Sequence, residues 1–573
     1  MLLFQTLHIH HIKNIATAFV VGVFLVSCSS ESDAPVYDLV IAGGTIYDGS
    51  GSAPIMGDVA IVGDRIAAVG DIPKGVSHNY IDATGKAVSP GFINMLSWAP
   101  VSLMDDGRGM SDTKQGITLE VFGEGWTYGP INDKMTGLMA ELTGDLGQEI
   151  TWTTMGGFME ALEASGITPN VASFVGATTV RIYVLGEDDV DPTPAQLVEM
   201  QNLVREAMRE GAVGVGSSLI YAPASYSETP ELIALVKAAA EYGGGYISHM
   251  RSEGDRLIEA VDELITIARE ADTFGEIYHL KAGGRDNWPK MDQVLEMVEA
   301  ARAEGLQIGA NMYTYQAGAT GLDAAMPTWV QAGGQEAWFA RLRDPAIRAR
   351  VIDEMQRPGD DWENLFYGAG PEGMLVVQFK NDALKKYVGW TIAQVAEDRG
   401  TSPADTIIDL VLEDETRVGT VYFLMSEENI RKQIAKPWVS FDSDAASIAT
   451  DGRFSDQGAH PRTYGNFARL FAKYVREEGV ISISEAVRRL TSLPATRLKI
   501  RDRGLLAEGY YGDVVVFDPA TIQDHSTFDQ PHQYSTGVDH VVVNGVQVLK
   551  DGAHTGAMPG RFVRGPGWPG HQP

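Results

Sequence analysis

The sequence predicts a parallel α/β fold, a (β/α)8 TIM barrel joined to a small composite β-sandwich domain. Three observations support this prediction. Strand-like and helix-like segments alternate through the long middle of the chain, whereas both ends are rich in short strands separated by Gly and Asp turns. The length of 573 residues also exceeds what one ordinary core requires. We therefore expect one large domain with a smaller one beside it.

The two β-rich segments are residues 36–90 and 500–557. The first contains "YDLVIAGGTIYDG" and "GDVAIVGDRIAAVG", and the second contains "GDVVVFDP" and "DHVVVNGVQVLKDG". These apolar runs are short and are bounded by turn residues, which is typical of strands. The two segments are predicted to build one β-sandwich, with residues 558–573 as a C-terminal tail.

Residues 91–499 are predicted to form the barrel. Amphipathic helical stretches such as "PAQLVEMQNLVREAMREGA" lie between several candidate strands. The eight candidate strands are residues 88–95, 117–123, 170–176, 212–217, 245–249, 275–279, 307–312 and 437–443. Active sites of such barrels lie at the C-terminal ends of the strands. Residues 320–436 are too many for a loop, so we expect a mostly helical insertion beside the site.

The N-terminus has the pattern of a lipoprotein signal peptide over residues 1–27. One lysine precedes an apolar run that is short for a membrane span, and "LVSC" resembles a lipobox ending at Cys28. Residues 28–35 would be a polar tether. The interpretation is a bacterial lipoprotein, anchored to a membrane through Cys28 and facing the periplasm or the cell exterior. The alternative is a plain secretory peptide with an incidental cysteine.

Charge and cysteine content exclude several classes of function. The formal net charge of −31 repels nucleic acid, so no nucleic-acid partner is expected. Cys28 is the only cysteine, which excludes an intramolecular disulfide and a cysteine-rich metal site.

Two histidines are the strongest candidates for metal ligands. Between residues 91 and 499 there are three histidines, and two of them, His249 and His279, end the fifth and sixth predicted strands. Neighbouring parallel strands bring such end residues within reach of one ion. A single histidine in this position is more often a core residue, but two on adjacent strands indicate a metal site.

Glu124 is the candidate third ligand. It stands at the end of the second predicted strand in "GITLEVFGEG", and a catalytic zinc site needs three protein ligands and one open position. The alternative is a structural carboxylate paired with Lys281 or Arg251.

Asp444 follows the eighth predicted strand and is the candidate catalytic residue. A carboxylate beside the ion can accept a proton from water and pass it to a leaving amine. Asp442 has the same strand parity and competes for the role, and a helix-capping function is a further alternative. Three other side chains could bind a substrate carboxylate: Arg462 with its rigid fork of donors, Lys281 and Tyr315.

The chain resembles the N-acyl-D-amino-acid deacylase (D-aminoacylase) family of the amidohydrolase superfamily. The resemblance runs from about residue 37 to 552 and is carried by "SPGFI", "GVGSSLIYAP", "YISHMRSEGDRLIEAVDE", "HLKAGG", "AHPRTYG" and "DRGLLAEG". It implies a barrel with a composite β-sandwich and a metal-activated water that hydrolyses an amide.

The resemblance also implies roles for individual residues. His249 and His279 match metal ligands, and Asp444 matches the catalytic aspartate. Lys281, Tyr315 and Arg462 match residues that bind the substrate carboxylate, and Tyr221 matches a pocket tyrosine.

The sequence departs from the family at four positions. In "PGFINMLSWAP", Leu96 and Trp98 replace a metal-binding His-x-His pair; Glu124 replaces a cysteine, and Ala177 replaces a frequent histidine. Leucine and tryptophan cannot ligate, so we expect one Zn²⁺ held by Glu124, His249 and His279. This arrangement is similar to that of the single-metal N-acetylglucosamine-6-phosphate deacetylases.

Two functional hypotheses follow. The first is a lipid-anchored, single-zinc amidohydrolase acting on an N-acyl-D-amino acid or a similar amide or small peptide that bears a carboxylate. The alternative is a non-catalytic binding lipoprotein on a degenerate amidohydrolase scaffold. The alternative does not require Glu124, His249 and His279 to converge.

Overall fold

The computed structural model describes residues 36–135, 137–139, 150–359, 361–455 and 457–571. The predicted signal peptide, the tether and Cys28 lie outside the described residues. Within those ranges no helix combines the length and the apolar character that crossing a membrane requires.

The strands are short and are distributed over the whole described chain. In chain order they are β1 (Leu39–Ile46), β2 (Ile55–Val62), β3 (Arg65–Gly70), β4 (Tyr80–Asp82), β5 (Ala87–Pro90), β6 (Phe92–Asn94), β7 (Ile117–Phe122), β8 (Asn170–Ser173), β9 (Val175–Gly176), β10 (Gly214–Ser218), β11 (Gly245–His249), β12 (Gly275–Ile277), β13 (Ile308–Met312), β14 (Gly318–Gly321), β15 (Met374–Val376), β16 (Gly419–Tyr422), β17 (Val439–Phe441), β18 (Val514–Phe517), β19 (Val538–Val543), β20 (Val546–Lys550) and β21 (Ala553–His554).

Helices lie between many of the strands. The α-helices are Pro100–Asp105, Met110–Thr113, Met155–Ser165, Ala177–Leu185, Pro194–Glu210, Thr229–Ala240, Leu257–Glu270, Lys290–Ala303, Gly334–Arg343, Pro345–Met355, Leu365–Ala369, Ile392–Arg399, Pro403–Asp414, Glu427–Ile434, Arg462–Arg469, Ile483–Leu490 and Ser492–Arg497. A π-helical segment, Leu470–Glu477, follows Arg462–Arg469 directly. Caps define several helix starts, and Ser482, for example, accepts the backbone N–H of Glu485 at 3.2 Å.

Both ends of the chain contribute strands to one nine-stranded sheet. Its order is β21-β20-β19-β18-β5-β1-β2-β3, with β4 pairing beside β1. The sheet is mixed. β1 runs parallel to β4 and β5, whereas the pairs β1–β2 and β5–β18 are antiparallel. An aliphatic cluster that includes Ile41, Val59, Val514 and Val542 packs on it. The pairing joins the two ends as expected, and the sandwich arrangement and the domain boundaries stay predictions.

Two all-parallel sheets occupy the middle of the chain, and they confirm the predicted α/β class. Six strands pair in the order β17-β13-β12-β11-β10-β9, and three pair in the order β6-β7-β8. Phe174, between β8 and β9, donates its N–H to the carbonyl of Phe122 at 2.9 Å. Helices Leu257–Glu270 and Lys290–Ala303 follow β11 and β12, which is the alternation that parallel pairing requires.

Two predicted strands are each divided. The predicted strand 88–95 is divided at Gly91, with β5 in the nine-stranded sheet and β6 in the three-stranded one. A Cβ at Gly91 would collide with the side chain of Thr118, so only glycine allows this close transfer between sheets. The predicted strand 170–176 is interrupted at Phe174, where the chain passes from β8 to β9.

Residues 320–436 contain six of the α-helices given above together with a sheet that the sequence did not indicate. In this antiparallel sheet β16 lies between β14 and β15. The segment has its own apolar core, which includes Trp338, Phe339, Ile407 and Leu410.

Candidate metal centre

Glu124, His249 and His279 converge on one point. Oε1 of Glu124 lies 2.9 Å from Nδ1 of His249 and 3.0 Å from Nε2 of His279. The two imidazole rings are nearly perpendicular, with centroids 4.6 Å apart. All three side chains are buried. The convergence agrees with the expectation from strand ends, and it counts against the non-catalytic alternative.

Backbone conformation places these side chains at the C-terminal ends of parallel strands. His249 is the last residue of β11, whereas Glu124 and His279 each come two residues after a strand, β7 and β12. Gly123 and Gly125 flank Glu124 with φ of 103° and 76°. His279 has φ of 32°, a left-handed conformation that is uncommon outside glycine. Such backbone strain is concentrated at functional sites.

The charges of the cluster depend on one another. Burial alone would raise the pKa of Glu124, but the two imidazoles lower it to about 2. Burial and Lys281 act to lower the pKa of His279, yet Glu253, Glu124 and Asp444 raise it to about 10. The carboxylates thus create a site that favours positive charge between the histidines.

Glu253 belongs to the site, although its sequence pattern did not single it out. Its carboxylate lies 3.1 Å from Nδ1 of His279, 3.4 Å from Nε2 of His249 and 2.7 Å from Nζ of Lys281. Burial opposes ionisation, but these neighbours lower the pKa of Glu253. The available signal was its position four residues after His249, in "HMRSEGD". A carboxylate behind a histidine orients the ring and increases its basicity.

Asp444 stands next to the cluster and forms an ion pair with Arg462. Its Oδ2 lies 2.7 Å from Nη1 of Arg462. Asp444 has φ of 45°, so it shares with His279 a left-handed conformation at a strand end. Both side chains are nearly buried, and Nε of Arg462 has no hydrogen-bond partner among the described residues. A buried donor without a partner is uncommon in folded proteins, so this nitrogen is a candidate contact for an anion.

Asp442, the competing candidate, has a different environment. It is fully buried, and neither carboxylate oxygen has a hydrogen-bond partner in the described part of the chain. Burial and the nearby Asp444 raise its pKa well above the usual range. Burial therefore favours the neutral form of Asp442 more than that of an exposed aspartate, which makes it the weaker candidate for the proton acceptor.

The two residues at the positions of the missing His-x-His pair have different environments. Leu96 is fully buried and packs among Ile93, Met95 and Leu119. Trp98 is 41% exposed and covers the site, with its indole Nε1 3.1 Å from Oε2 of Glu124 and 3.2 Å from Oδ1 of Asp444. From the sequence, Trp98 was recognisable only as a lost ligand.

Three tyrosines near the cluster differ in the groups that they contact. The ring of Tyr221 lies 5.3 Å from that of His249, and its hydroxyl donates to Thr320. Tyr315 is turned away, with its hydroxyl 3.3 Å from Asp524. Tyr313, two residues earlier, lies beneath Lys281 and Arg462, with charge-to-centroid distances of 5.6 and 4.5 Å. Tyr313 was not predicted from the sequence, because strand parity alone does not separate it from Tyr315.

The donor set fits a divalent metal such as zinc. One carboxylate oxygen and two imidazole nitrogens are ligands that zinc prefers, and a catalytic site with three protein ligands leaves one position open. Ligands at 2.0–2.2 Å in a tetrahedron lie roughly 3.3 Å apart, close to the 2.9 and 3.0 Å that separate Glu124 from the histidines. Among the described residues this is the only group of three His, Cys, Asp or Glu ligands so arranged.

Comparisons with known proteins give one consistent result. The model of the amidohydrolase family matches residues 79–549. D-aminoacylase of Alcaligenes xylosoxydans xylosoxydans is 30% identical over 536 residues, which cover 93% of this chain and 99% of that protein. N-acyl-D-glutamate deacylase of the same organism is also 30% identical, over 92% of this chain and 96% of that protein.

Solved structures agree with the sequence matches. N-acyl-D-glutamate deacylase of Bordetella bronchiseptica, in complex with zinc and a phosphonate mimic of the tetrahedral intermediate, has a TM-score of 0.77 and 26% identity. The match covers 92% of this chain and all of that one. A D-aminoacylase with a binuclear metal centre has a TM-score of 0.76 and 29% identity over the same shares. It is described as having one-metal activation and second-metal attenuation.

Proposed function

The chain belongs to the amidohydrolase family, in its D-aminoacylase branch, and from this premise we propose its substrate, its metal count and its residue roles. It is a metal-dependent hydrolase that acts on C–N bonds of linear amides. The proposed substrate is an N-acyl-D-amino acid, or a similar amide or small peptide that bears a free carboxylate. One zinc ion per chain is proposed.

The observation that carries the proposal is the juxtaposition of ligands, proton acceptor and cation. Glu124, His249 and His279 would hold the ion, with Asp444 and its partner Arg462 alongside. When bound, the ion would supply Lewis-acid chemistry, polarising the acyl carbonyl and lowering the pKa of water. The remaining steps rest on this chain's own residues.

Asp444 would carry the proton. Its Oδ1 accepts the indole N–H of Trp98, which also bonds to Glu124 of the cluster. Its Oδ2 forms the ion pair with Arg462. A carboxylate so fixed can accept a proton from the attacking water and deliver it to the nitrogen of the leaving amine. Asp442 is less suited to this role because its burial without hydrogen-bond partners disfavours the charged form.

Arg462 and Lys281 would hold the substrate carboxylate. Both are buried cations beside Tyr313, and Arg462 retains an unpaired Nε. Lys281 is bound to Glu253, so it would have to exchange part of that contact for the substrate. In this proposal Tyr315 is the weaker member of the predicted carboxylate-binding set, and Tyr221 lines the side of the pocket next to His249.

The proposed barrel accounts for the convergence of these groups. β6 and β17, at the ends of the two parallel sheets, are linked by the N–H of Met95 and the carbonyl of Phe441 at 3.3 Å. Ser97 and Ala445 form a parallel bridge beyond them. We propose that the two sheets close here into a (β/α)8 barrel, with the metal site at the C-terminal ends of its strands.

Membrane attachment through lipidated Cys28 is also proposed, and it rests on the sequence alone. Mass spectrometry of the native N-terminus tests it. A diacylglycerol-modified cysteine at position 28 is expected, and an unmodified N-terminus at another residue would contradict the proposal.

The enzymatic proposal is tested by an assay of N-acyl-D- and N-acyl-L-amino acids, each with its carboxylate free or converted to an amide. Metal content is measured on the same preparations. We expect zinc-dependent release of the D-amino acid and strong discrimination against the amidated substrate. Equal turnover of free and amidated substrates would contradict the proposed role of Arg462 and Lys281.

A further inference from the structure

The indole of Trp98 lies between two carboxylates that belong to different strand ends. Its Nε1 is 3.1 Å from Oε2 of Glu124, after β7, and 3.2 Å from Oδ1 of Asp444, after β17. The backbone of Trp98 is fixed as well, since its N–H donates to the carbonyl of Ala445 at 2.9 Å. The indole therefore has a defined position at the mouth of the site.

A gap between two carboxylates in a nearly buried site is where a cation is expected, because two adjacent anions repel each other in low dielectric. Here an N–H group occupies that gap. The indole nitrogen is a donor only, so it can bond to both oxygens but cannot ligate a metal. Leu96, two residues earlier, is fully buried and offers no ligand atom either.

We propose that the indole N–H of Trp98 takes the place that a second metal ion holds in a binuclear centre. This inference rests on the proposed metal-dependent hydrolysis and adds to it. A fixed hydrogen-bond donor replaces an exchangeable cation, and the enzyme is therefore active with one ion and insensitive to excess metal. The D-aminoacylase with a binuclear centre is described as attenuated by its second metal. In the present enzyme Trp98 prevents that attenuation.

The same contact makes Trp98 a positioning residue. The indole N–H donates to Oε2 of Glu124, which leaves Oε1 as the oxygen directed at the histidines. It also holds Oδ1 of Asp444, while Arg462 holds Oδ2. The proposed proton acceptor is thus fixed at both oxygens without a second ion.

The first test is metal binding, measured as zinc per chain by mass spectrometry after dialysis against increasing zinc. Wild-type enzyme is expected to reach one zinc per chain and to stay there, with turnover constant as zinc rises. Two zinc ions per wild-type chain would overturn the inference and leave the hydrolytic function intact. Zero zinc would overturn the proposed function itself.

The second test is the double variant Leu96→His/Trp98→His, which restores two ligand side chains. It is expected to bind two zinc ions and to lose activity as zinc rises. A folded double variant that still binds one ion and is not attenuated would contradict the inference.

The third test, Trp98→Phe, keeps an aromatic ring but removes the N–H, and it remains informative if the double variant does not fold. Zinc per chain is expected to stay at one, while kcat falls about 10- to 100-fold because Asp444 loses a charge-assisted hydrogen bond. Trp390→Phe, at a comparably exposed tryptophan of the insertion, is the matched control and should retain wild-type turnover. Unchanged kcat in Trp98→Phe would overturn the positioning role.

Discussion

Nη1 of Arg462 lies 2.7 Å from Oδ2 of Asp444, in a site where both side chains are nearly buried. The pair joins the proposed proton acceptor to the proposed carboxylate-binding group. Breaking a buried pair by removing one charge leaves the other uncompensated, so isosteric variants are the appropriate probes.

Asp444→Asn is expected to lower kcat by about 100- to 10,000-fold, because the amide cannot accept the proton. Zinc per chain should stay near the wild-type value, since Asp444 is not one of the three proposed ligands. Steady-state kinetics and metal analysis of the same sample check this. Asp451→Asn, at an exposed position of the same segment, serves as control. Wild-type turnover in Asp444→Asn would exclude it as the proton carrier.

Arg462→Lys keeps the positive charge but loses the planar fork. We expect kcat/KM for a free-carboxylate substrate to fall about 10- to 100-fold, mainly through KM, because a bidentate contact becomes a single one. Activity on the amidated substrate should change little. A similar loss on both substrates would instead indicate that the variant disturbs Asp444.

Tyr313→Leu removes the ring beneath Lys281 and Arg462. KM is expected to rise about tenfold as the two cations lose their common support. Tyr315→Leu should raise KM less, because its hydroxyl faces Asp524. Comparing the two variants on one N-acyl-D-amino acid decides between the tyrosines, and a larger effect at Tyr315 would favour the role implied by the family.

Glu363 gives a prediction about pH and stability. It borders a cavity of about 260 Å³ beside Asp255 and Asn287 and accepts the N–H of Glu253. Burial and the charge of Glu253 raise its pKa to about 8. The pKa of Glu363 in the folded protein exceeds the ordinary 4.5. The contribution of Glu363 to the free energy of unfolding is therefore fully present below pH 4.5 and is lost as pH rises towards and through 8.

Glu363→Gln keeps the acceptor oxygen and removes the titration. Its Tm relative to wild type is expected to increase between pH 5 and 9, by roughly 1–3 °C at the upper end. Glu372→Gln, at an exposed glutamate, should follow wild type throughout. A Tm difference that is constant with pH would show that Glu363 does not titrate in this range.

The sequence predicted those features that depend on strand ends meeting at one edge of a parallel sheet. Glu124, His249 and His279 converge for this reason, and the pairing of Val88 in β5 with Val516 in β18 brings the two chain ends together as expected. Regular periodicity was sufficient for these inferences.

What the sequence did not reveal depends on turns and long-range contacts. The left-handed conformations of His279 and Asp444 arise just after strands, where periodicity carries no information. Glu253 contacts both histidines from the loop that follows β11, and periodicity does not predict the path of that loop. The sheet of β14, β15 and β16 pairs segments far apart in the chain. Trp98 could be recognised as a missing ligand, whereas its contact with two carboxylates required the three-dimensional arrangement.

The proposed zinc site is tested most directly by an anomalous difference map collected at the zinc absorption edge from crystals of the full enzyme. We expect one peak per chain, within about 2.0–2.2 Å of Oε1 of Glu124, Nδ1 of His249 and Nε2 of His279. A map without a peak at this point, or with zinc bound only elsewhere, would contradict it.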